Sequence, residues 1–268
     1  MFVITGATGA VGREATRLLV ESGATVAAVT RDPSTAIDVH PDDVPALRDI
    51  EGVLISPRAA GAGLGALLAQ ARSRVVLLSA LTVAHPAGEP RFRAAFEAAE
   101  HAVTTSGLTW TVLRSADYAS NTLSWAGQIA AGGTVRGAYP LAKTSTVDER
   151  DVAAVAVLAL TGSGHAGQRY ILTGEESLSQ PDKVAAIGAA TGRDLTFTDV
   201  SPEAVRQGMR AAGLPDEIPD RLLGSLADYA REAGPTTGTV RELLGRPAGT
   251  YAEWAVAHRS AFAVPVRS

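Results

Sequence analysis

No cysteine occurs anywhere in the 268 residues. That removes disulfides, thiolate nucleophiles and thiolate metal sites together, and it makes the reducing cytoplasm the expected setting. No uninterrupted apolar run approaches the ~20 residues of a membrane-spanning helix, because glycine, serine, arginine or proline breaks each hydrophobic segment; no membrane role is expected. The net charge of −4 is spread over both halves without a basic stripe, so nucleic acid is not expected as a direct ligand. No His-Glu-x-x-His stretch is present, and Glu97 with His101 reads as one solvated helix face, so no metal is implied. A Gly-x-Ser-x-Gly elbow is also missing, which excludes a hydrolase built on that serine. Met1-Phe2-Val3-Ile4 runs directly into a glycine-rich turn, leaving no basic-then-apolar leader to expect.

What is there is ordinary globular material: 46% hydrophobic and 19% charged residues, enough to bury a large core. Short apolar strands alternate with amphipathic helices through residues 1–160. Strands are expected at 2–5, 25–30, 52–55, 75–79 and 109–113, with a weaker one at 36–39. Helices are expected at 11–21, 64–71, 91–105 and 151–160, the first stopped by Gly23 and the third by Gly107. A further strand at 168–173 and a helix at 180–191 continue the alternation. Helices at 203–212, 221–232 and 250–262 then follow, separated by Gly-Leu-Pro, Gly-Pro and Gly-Arg-Pro breaks. This pattern predicts an α/β fold: a Rossmann-type doubly wound parallel sheet over 1–160, with a smaller, mainly helical region over 161–268 that completes the sheet edge and caps a pocket. The whole is expected to form one compact unit.

The most specific signal is Thr5-Gly6-Ala7-Thr8-Gly9-Ala10-Val11-Gly12, which leaves the first strand and enters the first helix. Gly6 permits a tight turn, Gly9 lets backbone approach a pyrophosphate, and Gly12 lets helix pack closely on strand. Free N–H groups and the helix dipole then favour the phosphates of a dinucleotide. The spacing is G-x-x-G-x-x-G, so the pattern gains its weight from the strand–turn–helix context; the bland alternative is that the glycines serve only the turn. Arg31 stands at the tip of the second strand, where an acidic residue would normally take the ribose hydroxyls of NAD. A guanidinium there suits the 2′-phosphate of NADP(H), which is therefore expected over NAD(H). The alternative is a solvated surface arginine; Asp32 before Pro33 reads as a turn residue.

Three stretches together resemble the atypical short-chain dehydrogenase/reductases, in particular the NmrA-like family. They are the opening Thr-Gly-Ala-Thr-Gly-Ala-Val-Gly, the segment from Ala99 to Arg114 running on to Asn121, and Asp148-Glu149-Arg150-Asp151-Val152-Ala153; Gly245-Arg246-Pro247 and Tyr251-Ala252-Glu253-Trp254-Ala255 extend the likeness across nearly the whole chain. The family holds NADPH-dependent quinone and dye reductases as well as non-catalytic dinucleotide sensors. Its fold implies Ser56, Ser79, Leu81 and the 114–121 segment as further neighbours of the cofactor, and the strand-end rule for open α/β sheets gives the same placement independently. Substrate is expected between that edge and the C-terminal helices, where Tyr118, Asn121, Trp125 and Tyr139 can supply a partly aromatic wall; each reads equally as plain core or surface.

Ordinary members of the superfamily use a Tyr-x-x-x-Lys pair on the helix after the fifth strand, where i,i+4 spacing puts both groups on one face. The corresponding helix here, 91–105, has neither residue. With two lysines in the chain, the one match is Tyr139 to Lys143, which contains Pro140 and lies in a turn-like stretch. Ser79, Tyr118, Tyr139 and Lys143 are thus weak catalytic candidates. Direct hydride transfer to a conjugated acceptor, quinone- or dye-like, needs no such pair, with positioning and exclusion of water supplied by the protein. Two readings stay open: a reductase with a small-molecule substrate, and an NADP(H) sensor acting through a protein partner. Either a monomer or a homodimer is compatible with the apolar helices.

Overall fold

The computed structural model describes residues 1–29, 38–39, 50–71 and 74–263. Its strands are β1 (Phe2–Thr5), β2 (Val26–Val29), β3 (Asp38–Val39), β4 (Gly52–Ile55), β5 (Arg74–Ala80), β6 (Thr109–Ser115), β7 (Thr134–Gly137), β8 (Lys143–Thr144), β9 (Gln168–Leu172), β10 (Leu178–Ser179) and β11 (Thr196–Asp199). The helices are α1 (Ala10–Glu21), α2 (Pro57–Ala60), α3 (Leu64–Gln70), α4 (Pro90–Thr104), α5 (Ala126–Gly132), α6 (Glu149–Thr161), α7 (Gln180–Thr191), α8 (Pro202–Ala211), α9 (Glu217–Tyr229), α10 (Thr239–Leu244) and α11 (Tyr251–Ala257).

Seven strands form one sheet in the order β3-β2-β1-β4-β5-β6-β9. Each pairing within it is parallel. A parallel sheet is covered on both faces, so its strands must be apolar on both sides. Phe2, Ile4, Leu54, Val76 and Leu78 point to the face covered by α1 and α6. Their neighbours Val3, Val53, Ile55, Val75 and Leu77 point to the other, against Leu67 of α3 and Ala99 and Val103 of α4. The chain runs outward from β1 in both directions, so the carboxyl ends of β1 and β4 part at a topological switch point, where open α/β sheets leave a crevice.

A third core lies beside the sheet. Ala119, Ile129 and Val135 pack there with Val184, Ile187, Tyr251, Trp254 and Phe262, so it takes residues from both sides of position 160. Trp254 is fully buried and stacks on His258 at 4.4 Å between ring centroids. The acidic start of α6 ties this core to the sheet: Trp254 Nε1 donates to Glu149 Oε1 at 3.0 Å, and Gly249 N donates to Asp151 Oδ2 at 2.7 Å. Arg246 completes the clasp on Asp151 at 2.7 Å. Glu149 and Asp151 therefore work inside the fold, anchoring residues about a hundred positions downstream, while Asp148 caps α6 and pairs with Arg150.

Several elements differ from the sequence expectation. The helix expected at 250–262 stops at Ala257, and a 3-10 turn at Arg259–Phe262 swings Phe262 back onto the edge of the Trp254 ring. The helix expected at 221–232 begins a turn earlier, at Glu217. Between 114 and 149 no regular element was expected, yet the chain makes a 3-10 turn at Ala119–Trp125, then α5 and β7. β7 is four residues long and pairs in parallel with β11, Thr134 opposite Thr196, so its partner lies far beyond the reach of local periodicity.

Candidate active site

The turn from β1 to α1 is built by its glycines. Gly6 adopts φ +68°, a left-handed conformation, and a Cβ there would come within 3.1 Å of Ala59 Cβ. Gly9 N donates back to Gly6 O at 2.9 Å. Gly12 packs so closely on this loop that a Cβ would lie 2.2 Å from Gly6 O. Gly9, by contrast, is exposed, and its added Cβ would meet only Gly6 O, at 3.2 Å. No side chain caps α1 and no acidic residue occupies its first turn, unlike α6, α7 and α11, whose starts are capped by Asp148, Ser179 and Thr250. The start of α1 is thus shaped for close approach of an anion to backbone N–H groups. Thr5 pins the switch point: its hydroxyl donates to Leu54 O at 3.2 Å and accepts from Ser56 N at 2.7 Å.

From this turn a cavity of about 700 Å³ runs along the carboxyl ends of β4, β5 and β6 and under α9. Its far side is apolar, with Leu214, Ile218, Leu222 and Leu226 facing Phe92 and Trp125. Its polar groups gather after β6. Ser115 lines the cavity and is buried; among the described residues its hydroxyl makes no fully formed hydrogen bond and interacts with the Tyr118 phenol. Burial pushes the Tyr118 phenol above its ordinary range, with the nearby Ser115 hydroxyl acting the other way. Tyr229 of α9, also on the wall, is pushed up to about 12 by burial and by Asp117 and Asp228. Both phenols stay protonated at neutral pH and can donate hydrogen bonds.

Two charge clusters frame these groups. Lys183 Nζ, buried on α7, donates to Thr144 Oγ1 at 2.8 Å and to Asp117 Oδ2 at 3.1 Å, where Thr146 Oγ1 also donates at 2.9 Å. On the sheet side, Ser79 Oγ donates to the buried Glu100 Oε1 at 2.6 Å, and Arg114 grips the same carboxylate through two nitrogens at 2.9 and 2.7 Å. Burial alone would raise the Glu100 pKa, but the bonds from Arg114 and Ser79, with the charges of Arg114 and Arg169, hold it below its usual value. Ser79 therefore points its proton at Glu100.

The cavity gathers most of the residues singled out in the sequence: Gly6, Gly9, Ala10, Val11 and Gly12 of the turn, Ser56, Ser79 and Leu81 at the strand ends, and Tyr118, Asn121 and Trp125 beyond β6. Ala7 and Thr8 belong to the turn but do not line the cavity. Arg31 lies outside the described residues. Tyr139 and Lys143 are not brought to the cavity wall. Tyr139 sits at φ +60° in the loop after β7, and Lys143 is exposed in β8, so no helix joins them and they share no face. The sequence reading took in Ser115 and Asp117 only as part of the 114–121 segment and missed Lys183, Arg58 and Arg221; these three sit in no recognisable motif, and the Asp117–Lys183 pair spans 66 residues.

No protein-family model matches the chain. It is, however, 35% identical to the (4-alkanoyl-5-oxo-2,5-dihydrofuran-3-yl)methyl phosphate reductase of Streptomyces griseus, over 98% of this chain and 99% of that one. It is 32% identical to the NAD(P)H azoreductase of Xenophilus azovorans over the same shares. The chain belongs to the NmrA-like atypical short-chain dehydrogenase/reductases. The NmrA-like fold is equally clear in solved structures. The NADPH-dependent quinone oxidoreductase of Escherichia coli complexed with NADPH superposes with a TM-score of 0.79 at 23% identity, covering 96% of this chain and 99% of that one. Citrobacter triphenylmethane reductase complexed with NADP(H) gives 0.78 at 17% identity, covering 97% and 100%. Among the described residues this NmrA-like chain has no helix long and apolar enough to cross a membrane and no His/Cys/Asp/Glu group able to hold a metal.

Proposed function

We propose that the chain is an NADPH-dependent oxidoreductase that passes hydride to a small conjugated acceptor of quinone or dye type. The observation that carries this reading is a continuous cavity that starts at the bare N-terminus of α1 and ends in an apolar chamber under α9. It offers a place for a dinucleotide and a flat acceptor end to end, and the full-length relatives named as reductases support the same chemistry.

The residues present fit the cofactor. Gly9 leaves a path to the α1 N–H groups for the phosphates, in a turn that Gly6 and Gly12 allow to close, and the buried Ser115 hydroxyl lines the cavity at the carboxyl end of β6, where the strand-end rule places a bound ligand. When bound, NADPH supplies the hydride. The chain positions the acceptor, keeps water out through the α9 cap, and offers the Tyr118 hydroxyl as a hydrogen-bond donor to a developing oxyanion. Tyr118→Phe is expected to lower kcat/KM for a quinone roughly 10- to 150-fold, the range for one hydrogen bond to a charged group, with NADPH binding unchanged. Steady-state kinetics alongside a calorimetric Kd separates the two effects.

Arg31 is proposed as the selector of the 2′-phosphate, from its position two residues past β2. Arg31→Ala is expected to cost roughly 1.5 to 3 kcal/mol of NADPH binding while leaving NADH binding nearly unaltered. Calorimetric titration of both dinucleotides checks it; equal losses for the two would remove Arg31 from the 2′-phosphate.

The test of the function itself is turnover. Purified protein mixed with NADPH and a panel of quinones and azo dyes is expected to consume NADPH, followed by nicotinamide absorbance. Tight NADPH binding with no turnover of any acceptor would decide for a dinucleotide sensor instead.

A further inference from the structure

Two guanidinium groups of the cavity are left over by everything described so far. Arg58, on α2, and Arg221, on α9, both line it. Of the other cations on the wall, Arg93 pairs with Glu97 at 3.1 Å and Lys183 with Asp117 at 3.1 Å. Among the described residues, neither Arg58 nor Arg221 has a hydrogen bond or ion pair through its side chain, and Asp117 is the one carboxylate on the wall, already taken by Lys183. The fold nevertheless puts the two like charges on the walls of one cavity, within electrostatic reach of each other. Burial, and then the charge of Arg58, hold the Arg221 guanidinium below its ordinary value, with Glu217 one turn earlier on α9 offsetting this in part.

Half-burying the Arg221 guanidinium without a partner, with the exposed Arg58 of the same sign on the same cavity, is costly unless an anion completes the arrangement. Planar guanidinium forks suit phosphate in particular. The two walls they come from place that anion. α2 stands against the glycine turn, where Ala59 Cβ is 3.1 Å from the position of a Gly6 Cβ. α9 belongs to the cap, and Arg221 is flanked there by the apolar Ile218 and Leu222 that face the acceptor chamber. The dinucleotide phosphates already have their receptor in the start of α1.

We propose that Arg58 and Arg221 form a clamp for a phosphate-class anion carried by the acceptor, so that the substrate is a conjugated body bearing a phosphate ester. This rests on the oxidoreductase reading of the same cavity and narrows its substrate class. The apolar chamber takes the conjugated body; the clamp fixes its charged end and thereby its register beneath the cap.

Phenyl phosphate titrated calorimetrically into the full chain saturated with NADP⁺ tests the clamp without any need for turnover. Saturable binding is expected, weakened at least tenfold in Arg58→Gln and in Arg221→Gln, with Kd for NADPH unchanged within twofold and partial recovery in Arg221→Lys. Phenol, the neutral counterpart, is expected to show no difference between variants. Absence of saturable binding, equal binding in the variants, or binding that vanishes once NADP⁺ is present would each overturn the proposal, the last by giving the pair to the dinucleotide. A rise in the NADPH Kd in place of an effect on phenyl phosphate would overturn it in the same way. Turnover of a neutral quinone, measured on the same variants, keeps the two readings apart: it is expected to persist if the clamp fails and to be absent throughout if the oxidoreductase reading fails.

Discussion

Gly12→Ala is expected to give a protein that no longer binds NADPH measurably and that melts well below the parent. The added methyl would lie 2.2 Å from Gly6 O, 2.8 Å from Gly6 C and 3.0 Å from Ala7 Cα, all backbone atoms of the same turn. No side chain can swing away to relieve that contact. Either α1 shifts off β1, where Val11, Ala15 and Leu19 pack into the core, or the turn deforms. The cost falls at or above the ~3 kcal/mol upper end of overpacking penalties. Gly9→Ala separates fold from function. Its methyl meets only Gly6 O at 3.2 Å and otherwise faces outward, where a pyrophosphate must approach. It should therefore melt near the parent temperature yet bind NADPH at least tenfold more weakly. Thermal melts with and without NADPH read both variants, and a normally binding Gly12→Ala protein would remove the cradle from the account.

The second large effect concerns Glu100. Glu100→Ala leaves Arg114, only 18% exposed, without its bidentate partner and frees the buried Ser79 hydroxyl. Removing one member of a buried pair costs roughly 3 to 5 kcal/mol, and for a chain of this size about 10 °C in melting temperature. The pH dependence has a definite sign. Ionised Glu100 is favoured in the folded state, so its contribution is complete above the unfolded carboxyl pKa and fades as pH falls through the lower folded value. The stability gap between the parent and Glu100→Gln is thus expected at neutral pH and should narrow below about pH 4. A gap that stays constant from neutral pH down to acid would mean that charge on Glu100 does not hold Arg114. Arg169, stacked on Trp110 at 4.6 Å and 3.8 Å from Glu100, is the third member of the network and loses the same carboxylate, which leaves two guanidinium groups without their anion.

The same residue shows how differently fold and site are written in the chain. Glu100 sits in a helix whose existence was plain from its apolar spacing and its stop at Gly107. That it is buried, and that it commits Ser79, depends on β5 and β6 lying side by side with Ser79 opposite Arg114. A hydroxyl that looked available at a strand end is therefore turned toward a carboxylate. Tyr139 and Lys143 carried the right spacing for a catalytic pair, but spacing implies a shared face only on a helix, and Tyr139 lies at φ +60° in a loop. Lys183 read as one more residue of a helix; only its contact with Asp117 makes it part of the site.

By itself the sequence determined the parallel sheet, the helices that cover it and the glycine turn at the switch point. These follow from local periodicity and from conformations that glycine alone allows, and both act within a few residues of chain. The tertiary structure decided the third core, the Asp117–Lys183 and Glu100–Arg114 pairs, and the placing of Arg58 and Arg221 on the walls of one cavity. Each of these joins positions that only folding brings together, and a charge or a short strand carries no local mark of the partner that will satisfy it.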